Sequence, residues 1–277
     1  MLEFDDERPE RVRVVTLSVD GEWRTPRASG GFLRSHRLLL TVQLVAHRGF
    51  AREAPENTLA AVEYAAAAGA NAVKVDVRAA SDGTPVIVHD ATVDRVTNGT
   101  GAVSEHAPAE LDSLSVLGSG EGIPTLDAVL ERAHDRELAV NVEVKEADVA
   151  ESVVDAIHGS GILTTAVWAS SFDADALRRV ADAIEARAGN DGARIQTAYL
   201  VRSRRHDPVG TAVDLGCTAI HPQYRATIPG GLVRRAHDAG LHVNAWTLSS
   251  SWVARVVART GVDGLIADVT LDAYSRT

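Results

Sequence analysis

A chain of 277 residues, 45% of them hydrophobic, is long enough for one large domain with a substantial core, and its single cysteine excludes an internal disulfide or a cysteine-ligated zinc cluster. The formal net charge of -10 argues against a general binder of nucleic acid or of anionic membranes. It leaves room for a small basic pocket that takes one phosphate.

Residues 1–41 differ from the rest. The start, MLEFDDERPERVRVV, is charged and lacks the apolar region of a signal peptide. VRVVTLSVDGEW then alternates around the turn pair Asp20-Gly21 and predicts a short hairpin, followed by a loop at RTPRASGG. This segment reads as an N-terminal extension. From Val42 to the end, short apolar runs alternate with longer stretches at three- and four-residue spacing. The runs are VQLVA (42–46), AVKVDV (72–77), LAVNVEV (138–144), AVWAS (166–170), IQTAYL (195–200), CTAI (217–220), HVNAW (242–246) and DGLIA (263–267). Between them lie helical patterns such as NTLAAVEYAAAAG, TLDAVLERAHDR and SSWVARVVARTG, most of which end at glycine. Eight strand–helix alternations predict an α/β fold, a (β/α)8 TIM barrel, as one domain over 42–277. PVIVHD, after the second run, is an extra extended piece. The region from Ala91 to Ile123 reads as an irregular loop and a candidate lid. Cys217 is expected to be a buried small hydrophobe, and His134 and His237 to be solvated helix residues. No segment has the ~18 uninterrupted apolar residues of a membrane span, so no stable membrane insertion is expected, and a cytoplasmic setting fits best.

Chemistry in such barrels gathers at the C-terminal strand ends. The first run ends in His47, Arg48 and Gly49, and APENT follows, where Asn57 or Thr58 can cap a helix. In NAVKVDV, the period of two puts Lys74 and Asp76 on one face and Val73, Val75 and Val77 on the other. NVEVK repeats the pattern with Glu143 and Lys145. The extra piece ends in His89 and Asp90, and the seventh run ends in Trp246. So much charge at adjacent strand ends is destabilising unless the groups compensate one another, so the set reads as functional. Arg48 can bind a phosphoryl oxygen bidentately, and Lys145 can supply a point charge. Two histidines can divide general-base and general-acid work.

At these residues the sequence resembles the glycerophosphodiester phosphodiesterase family. The resemblance is carried by AHRGFAREAPENT, DGTPVIVHD, NVEVK and the late NAWT, and spans about residues 42–268. It implies a TIM barrel that cleaves a small-molecule phosphodiester. His47 and His89 are then the acid–base pair, and Arg48 and Lys145 hold the phosphate. Trp246 and Glu56 stand on the substrate side, Glu56 in a supporting role. Asp76 and Glu143 are two of three carboxylates that bind Mg2+ or Ca2+. The family pattern has a glutamate two residues before Asp76, where this chain has Lys74.

A glutamate with a divalent ion carries one net positive charge, as a lysine does. The expectation is therefore that no metal cofactor is needed: Lys74 takes the ion's place and leans on a phosphate oxygen, and an attacking substrate hydroxyl gives a cyclic phosphate. An ammonium supplies charge and hydrogen bonds but is a weaker Lewis acid than a metal. Two alternatives stand beside this reading, an ordinary metal-dependent member and a barrel that binds a phosphate ligand without turnover. The residues name neither the substrate's alcohol nor an oligomeric state.

Overall fold

Each apolar run becomes a strand, β2 and β4 with valines on one face and polar residues on the other, and the computed structural model, which describes residues 42–187, 195–204, 206–228 and 231–271, shows what each face meets. The strands are β1 (Gln43–His47), β2 (Ala72–Ala79), β3 (Pro85–Ile87), β4 (Ala139–Val144), β5 (Val167–Ser171), β6 (Gln196–Val201), β7 (Ala219–Pro222), β8 (His242–Leu248) and β9 (Gly264–Ala267). Hydrogen bonding runs β1-β9-β8-β7-β6-β5-β4-β2, and β1 pairs with β2, so eight parallel strands close into a ring. This is a TIM barrel. β3 lies outside the ring, antiparallel to β2, which accounts for the extra extended piece. The predicted hairpin and loop within residues 1–41 lie outside the described residues.

The helices are α1 (Leu59–Ala67), α2 (Pro108–Ser113), α3 (Leu126–Asp135), α4 (Ala150–Gly159), α5 (Ala174–Arg187), α6 (Pro208–Asp214), α7 (Tyr224–Thr227), α8 (Leu232–Asp238) and α9 (Ser251–Ala258). The outer faces of the strands pack on them. Val73, Val75 and Val77 of β2 and Val140, Val142 and Val144 of β4 join Leu126, Val129 and Leu130 of α3 and Val153 and Val154 of α4 in the main core. Each such side chain contributes about 1.5–3 kcal/mol on burial. The opposite faces point into the barrel, where Lys74, Asp76, Asn141, Glu143, Ser170, His221 and Asn244 are all buried. Cys217 is buried as expected.

One element departs from expectation. Residues 91–123 are packed where the sequence reads as an irregular loop. They pair through bridges at Thr92–Ala102 and Thr97–Val116, contain α2, and bury Val93, Val96, Val103, Leu111, Val116 and Ile123 against Val86 and Val88. Their β-branched and aliphatic positions are spread too irregularly for a strand or helix period, so the sequence shows a loop where a small satellite core forms.

Candidate active site

The turn after β1 places the first two functional groups. Arg48, Gly49 and Phe50 all have positive φ (53°, 78° and 66°). A Cβ on Gly49 would lie 2.4 Å from Ala61 Cβ and 2.5 Å from the Ala61 carbonyl oxygen, so only glycine allows α1 to approach this closely. The turn is fixed from below by Arg48 N–H donating to the Lys74 carbonyl at 2.7 Å. His47 leaves β1 with Nδ1 2.6 Å from Asp268 Oδ1, a contact between residues 221 apart in the chain. Thr58, not Asn57, caps α1, accepting from Ala61 N–H at 3.2 Å. Asn57 instead donates from Nδ2 to Asp76 Oδ2 at 3.2 Å.

Lys74 occupies the centre of the mouth. Its Nζ is 3.0 Å from Asp76 Oδ1 and also contacts Glu143 Oε2. Lys145 Nζ is 3.1 Å from the same Asp76 oxygen and contacts Glu143 Oε1. Arg48 Nε lies 2.8 Å from Asp76 Oδ2, close enough for an ion pair but not aligned as a hydrogen bond. Register explains the convergence: Asp76 is opposite Glu143 on the paired strands β2 and β4. Burial alone would raise the Asp76 pKa, but Lys74, Lys145 and Arg48 hold it well below the carboxylate range. Burial would likewise lower that of Lys74, yet Asp76 and Glu143 overcome this and raise it.

His89 follows β3, with Nδ1 2.6 Å from Asp90 Oδ1. Burial lowers the pKa of both His47 and His89 against the pull of their carboxylate partners. With Nδ1 bonded to a carboxylate, each ring keeps Nε2 for proton transfer. Both rings line one cavity of about 390 Å³, together with Arg48, Lys74, Lys145 and Trp246. A bulge in β8 sets two residues, Trp246 and Thr247, against one of β9 and directs both to this cavity. The Trp246 indole N–H donates to the His221 carbonyl at 2.7 Å, and its ring packs edge-on against Phe172 at 5.3 Å.

Two of the expected site residues lie off the cavity wall. Glu56 does not line the cavity; its carboxylate bridges Arg48 at 2.8 Å and Arg95 at 2.8 Å, a supporting position for the arginine. Asp76 is fully buried beneath the cavity. Asp268, Arg95, Phe172 and Arg202 escaped the sequence reading, as did the contact of Asn57 with Asp76. A signal existed for Asp268 and Arg202. Continuing the inward alternation one step past the strand ends leads from Ile266 to Asp268 and from Leu200 to Arg202.

The donor set can be tested against a divalent ion. A metal site needs free carboxylate oxygens converging on one point. Here both oxygens of Asp76 and both of Glu143 already face ammonium, guanidinium or amide N–H groups. Among the described residues no three histidine, cysteine, aspartate or glutamate side chains group so as to hold an ion. So arranged, the residues do not fit Mg2+ or Ca2+.

The model of the glycerophosphoryl diester phosphodiesterase family matches residues 47–271. A glycerophosphodiester phosphodiesterase of Caldanaerobacter subterraneus is 31% identical over 236 residues, covering 81% of this chain and 93% of that protein. Among solved structures, a glycerophosphodiester phosphodiesterase from Agrobacterium tumefaciens superposes with a TM-score of 0.73 at 26% identity, covering 85% of this chain and all of that one. A phosphodiesterase from Oleispira antarctica, in complex with the product sn-glycerol-3-phosphate, gives 0.73 at 28% identity, covering 84% of this chain and 95% of the other.

Proposed function

The chain belongs to the glycerophosphoryl diester phosphodiesterase family and is a phosphodiester-cleaving enzyme; from that premise we propose that it acts on a glycerophosphodiester-like small molecule, with His47 and His89 as the acid–base pair and with Lys74 in place of a divalent ion. One observation carries the reading. Two histidines, each oriented at Nδ1 by a carboxylate, line the same cavity as Lys74, Lys145 and Arg48. The glycerol 3-phosphate product of the Oleispira relative supports a glycerol ester as substrate.

The non-bridging phosphate oxygens contact Lys74 and Lys145 as point charges and Arg48 through its planar fork. Three cations against the two carboxylates Asp76 and Glu143 leave one net positive charge, which matches the single negative charge of a phosphodiester. One imidazole takes the proton of the attacking hydroxyl as its oxygen bonds to phosphorus. The P–O bond to the leaving alcohol breaks, and the other, protonated imidazole gives that oxygen its proton. When the attacker is the neighbouring hydroxyl of the glycerol unit, the first product is a cyclic phosphate and no water need be activated. Held beside phosphorus, such a hydroxyl reacts as an intramolecular nucleophile.

The test is turnover of glycerophosphodiesters by EDTA-treated protein, followed by ³¹P NMR. Undiminished turnover with a transient cyclic phosphate is expected, and His47→Gln and His89→Gln are each expected to lower kcat by about 10²- to 10⁴-fold. Loss of activity on chelation, restored by Ca2+ or Mg2+, would overturn the metal-free reading. Titration calorimetry gives a second readout: Lys74→Glu is expected to bind Ca2+ where the native chain does not.

A further inference from the structure

The barrel mouth has a second cationic feature, across from the phosphate groups. Around the closed ring the strand order is β1, β2, β4, β5, β6, β7, β8, β9, so β6 stands opposite β1. His47 ends β1, Arg48 follows it, Arg202 follows the end of β6, and all three line the same cavity. A substrate whose phosphate rests by Lys74, Lys145 and Arg48 therefore extends its remaining group toward the β5–β6 wall.

Arg202 differs from the other cations of this mouth. Arg48, Lys74 and Lys145 share Asp76 and Glu143, and Arg78 pairs with Glu146 at 3.3 Å. Among the described residues no carboxylate lies within ion-pair distance of Arg202; its guanidinium carbon instead sits 4.3 Å from the centre of the Phe172 ring. Phe172 is fixed in turn by its edge-on contact with Trp246. Stacking holds the guanidinium plane while leaving its N–H edge free to donate. Asp173 is on the same wall, but its Oδ1 accepts the Asp175 N–H at 2.8 Å. The floor of the mouth already balances the charge of one phosphodiester without Arg202, and Asp173, the carboxylate of the far wall, is not within ion-pair distance of that guanidinium.

We propose that Arg202, stacked on Phe172, forms an oxyanion subsite, and that the preferred substrate is a phosphodiester whose leaving alcohol carries a carboxylate or a phosphate, in contrast to a neutral or cationic head group. This deepens the functional reading above and rests on it. A guanidinium binds either oxyanion through two parallel N–H donors. It repels a cationic head group at the same position.

Four glycerol phosphodiesters with matched three-carbon leaving groups test the idea: one ending in a carboxylate, one in a phosphate, one in a methyl and one in an ammonium. The native chain is expected to show kcat/KM highest for an anionic tail and lowest for the ammonium, and the two anionic arms identify which oxyanion fits. In Arg202→Gln, the ratio of kcat/KM for the better anionic ester over the methyl ester is expected to fall about 10- to 100-fold, mainly through KM, the size of a lost charged hydrogen bond. Arg202→Lys is expected to recover part of that ratio. Equal rates across the native series, a preference for the ammonium ester, or an unchanged ratio in Arg202→Gln would sink the proposal. If none of the four is turned over, the catalytic reading fails on its own. The subsite is then judged on the Kd values of the matching non-hydrolysable phosphonates, where the same order supports it and equal affinities overturn it.

Discussion

Lys74 shows what one substitution in a charged cluster does to its neighbours. Its ammonium reaches both Asp76 and Glu143 from a position with 3% side-chain exposure, and Lys145 repeats both contacts from the other side. Such a buried pair adds little to stability while intact, but removing one member strands the other's charge. Lys74→Met is therefore expected to lower the unfolding free energy by about 3–5 kcal/mol in urea titrations. The histidines give a prediction of a different kind. Burial, first of all, depresses both pKa values, with the Lys74 charge adding to the effect at His47 and the Lys145 charge at His89. The neutral, base-competent imidazole thus persists below the usual histidine range. The acid limb of kcat/KM is expected below pH 6.5. Asp268→Asn removes the carboxylate that raises the His47 pKa and fixes the ring, so it is expected to move that limb to lower pH as well as reduce kcat.

Elements carry these groups by two devices, a turn and a register. The turn after β1 is tight because Gly49 accepts φ of 78° and lets Ala61 approach. In Gly49→Ala, the new Cβ collides with backbone that cannot shift without moving α1. An expected loss of about 2 kcal/mol or more in stability, with a rise in KM from the displaced Arg48, can be measured by thermal melting and steady-state kinetics. The β2–β4 register sets Lys74 opposite Asn141 and Asp76 opposite Glu143. A slip of one residue in either strand would put valines into the mouth and charges among the helices. The valine rows on the outer faces therefore specify the catalytic register as well as the core.

For the whole molecule, the barrel is a container of buried titratable groups, and that sets its acid sensitivity. His221 on β7 is fully buried, its Nε2 3.1 Å from Asn244 Nδ2, and burial followed by the Lys74 charge brings its pKa down to about 3. A depressed folded pKa means stability that is present above the unfolded value near 6.5 and lost as pH falls, because the unfolded chain takes up the proton first. From pH 6.5 to pH 5 this one group is expected to remove about 2 kcal/mol. Asp76 acts in the same direction below its own unfolded value of 3.8. Urea midpoints at pH 7.5 and 5 measure the effect, and His221→Asn is expected to flatten the dependence. Much of this molecule was open to reading residue by residue. The alternation in NAVKVDV and NVEVK and the helical spacing between the runs are local properties, and they determined eight strands, their facing helices, the outward valines and the inward Lys74, Asp76, Glu143 and Lys145. Tertiary packing decided which distant groups meet. Barrel closure set Asp268 beside His47 across 221 residues and placed Arg202 opposite Arg48, while packing outside the ring set Glu56 between Arg48 and Arg95 and gave residues 91–123 a core of their own. Periodicity fixes the face a side chain occupies, whereas its partner depends on which strands the closed ring brings together, and no local pattern encodes that.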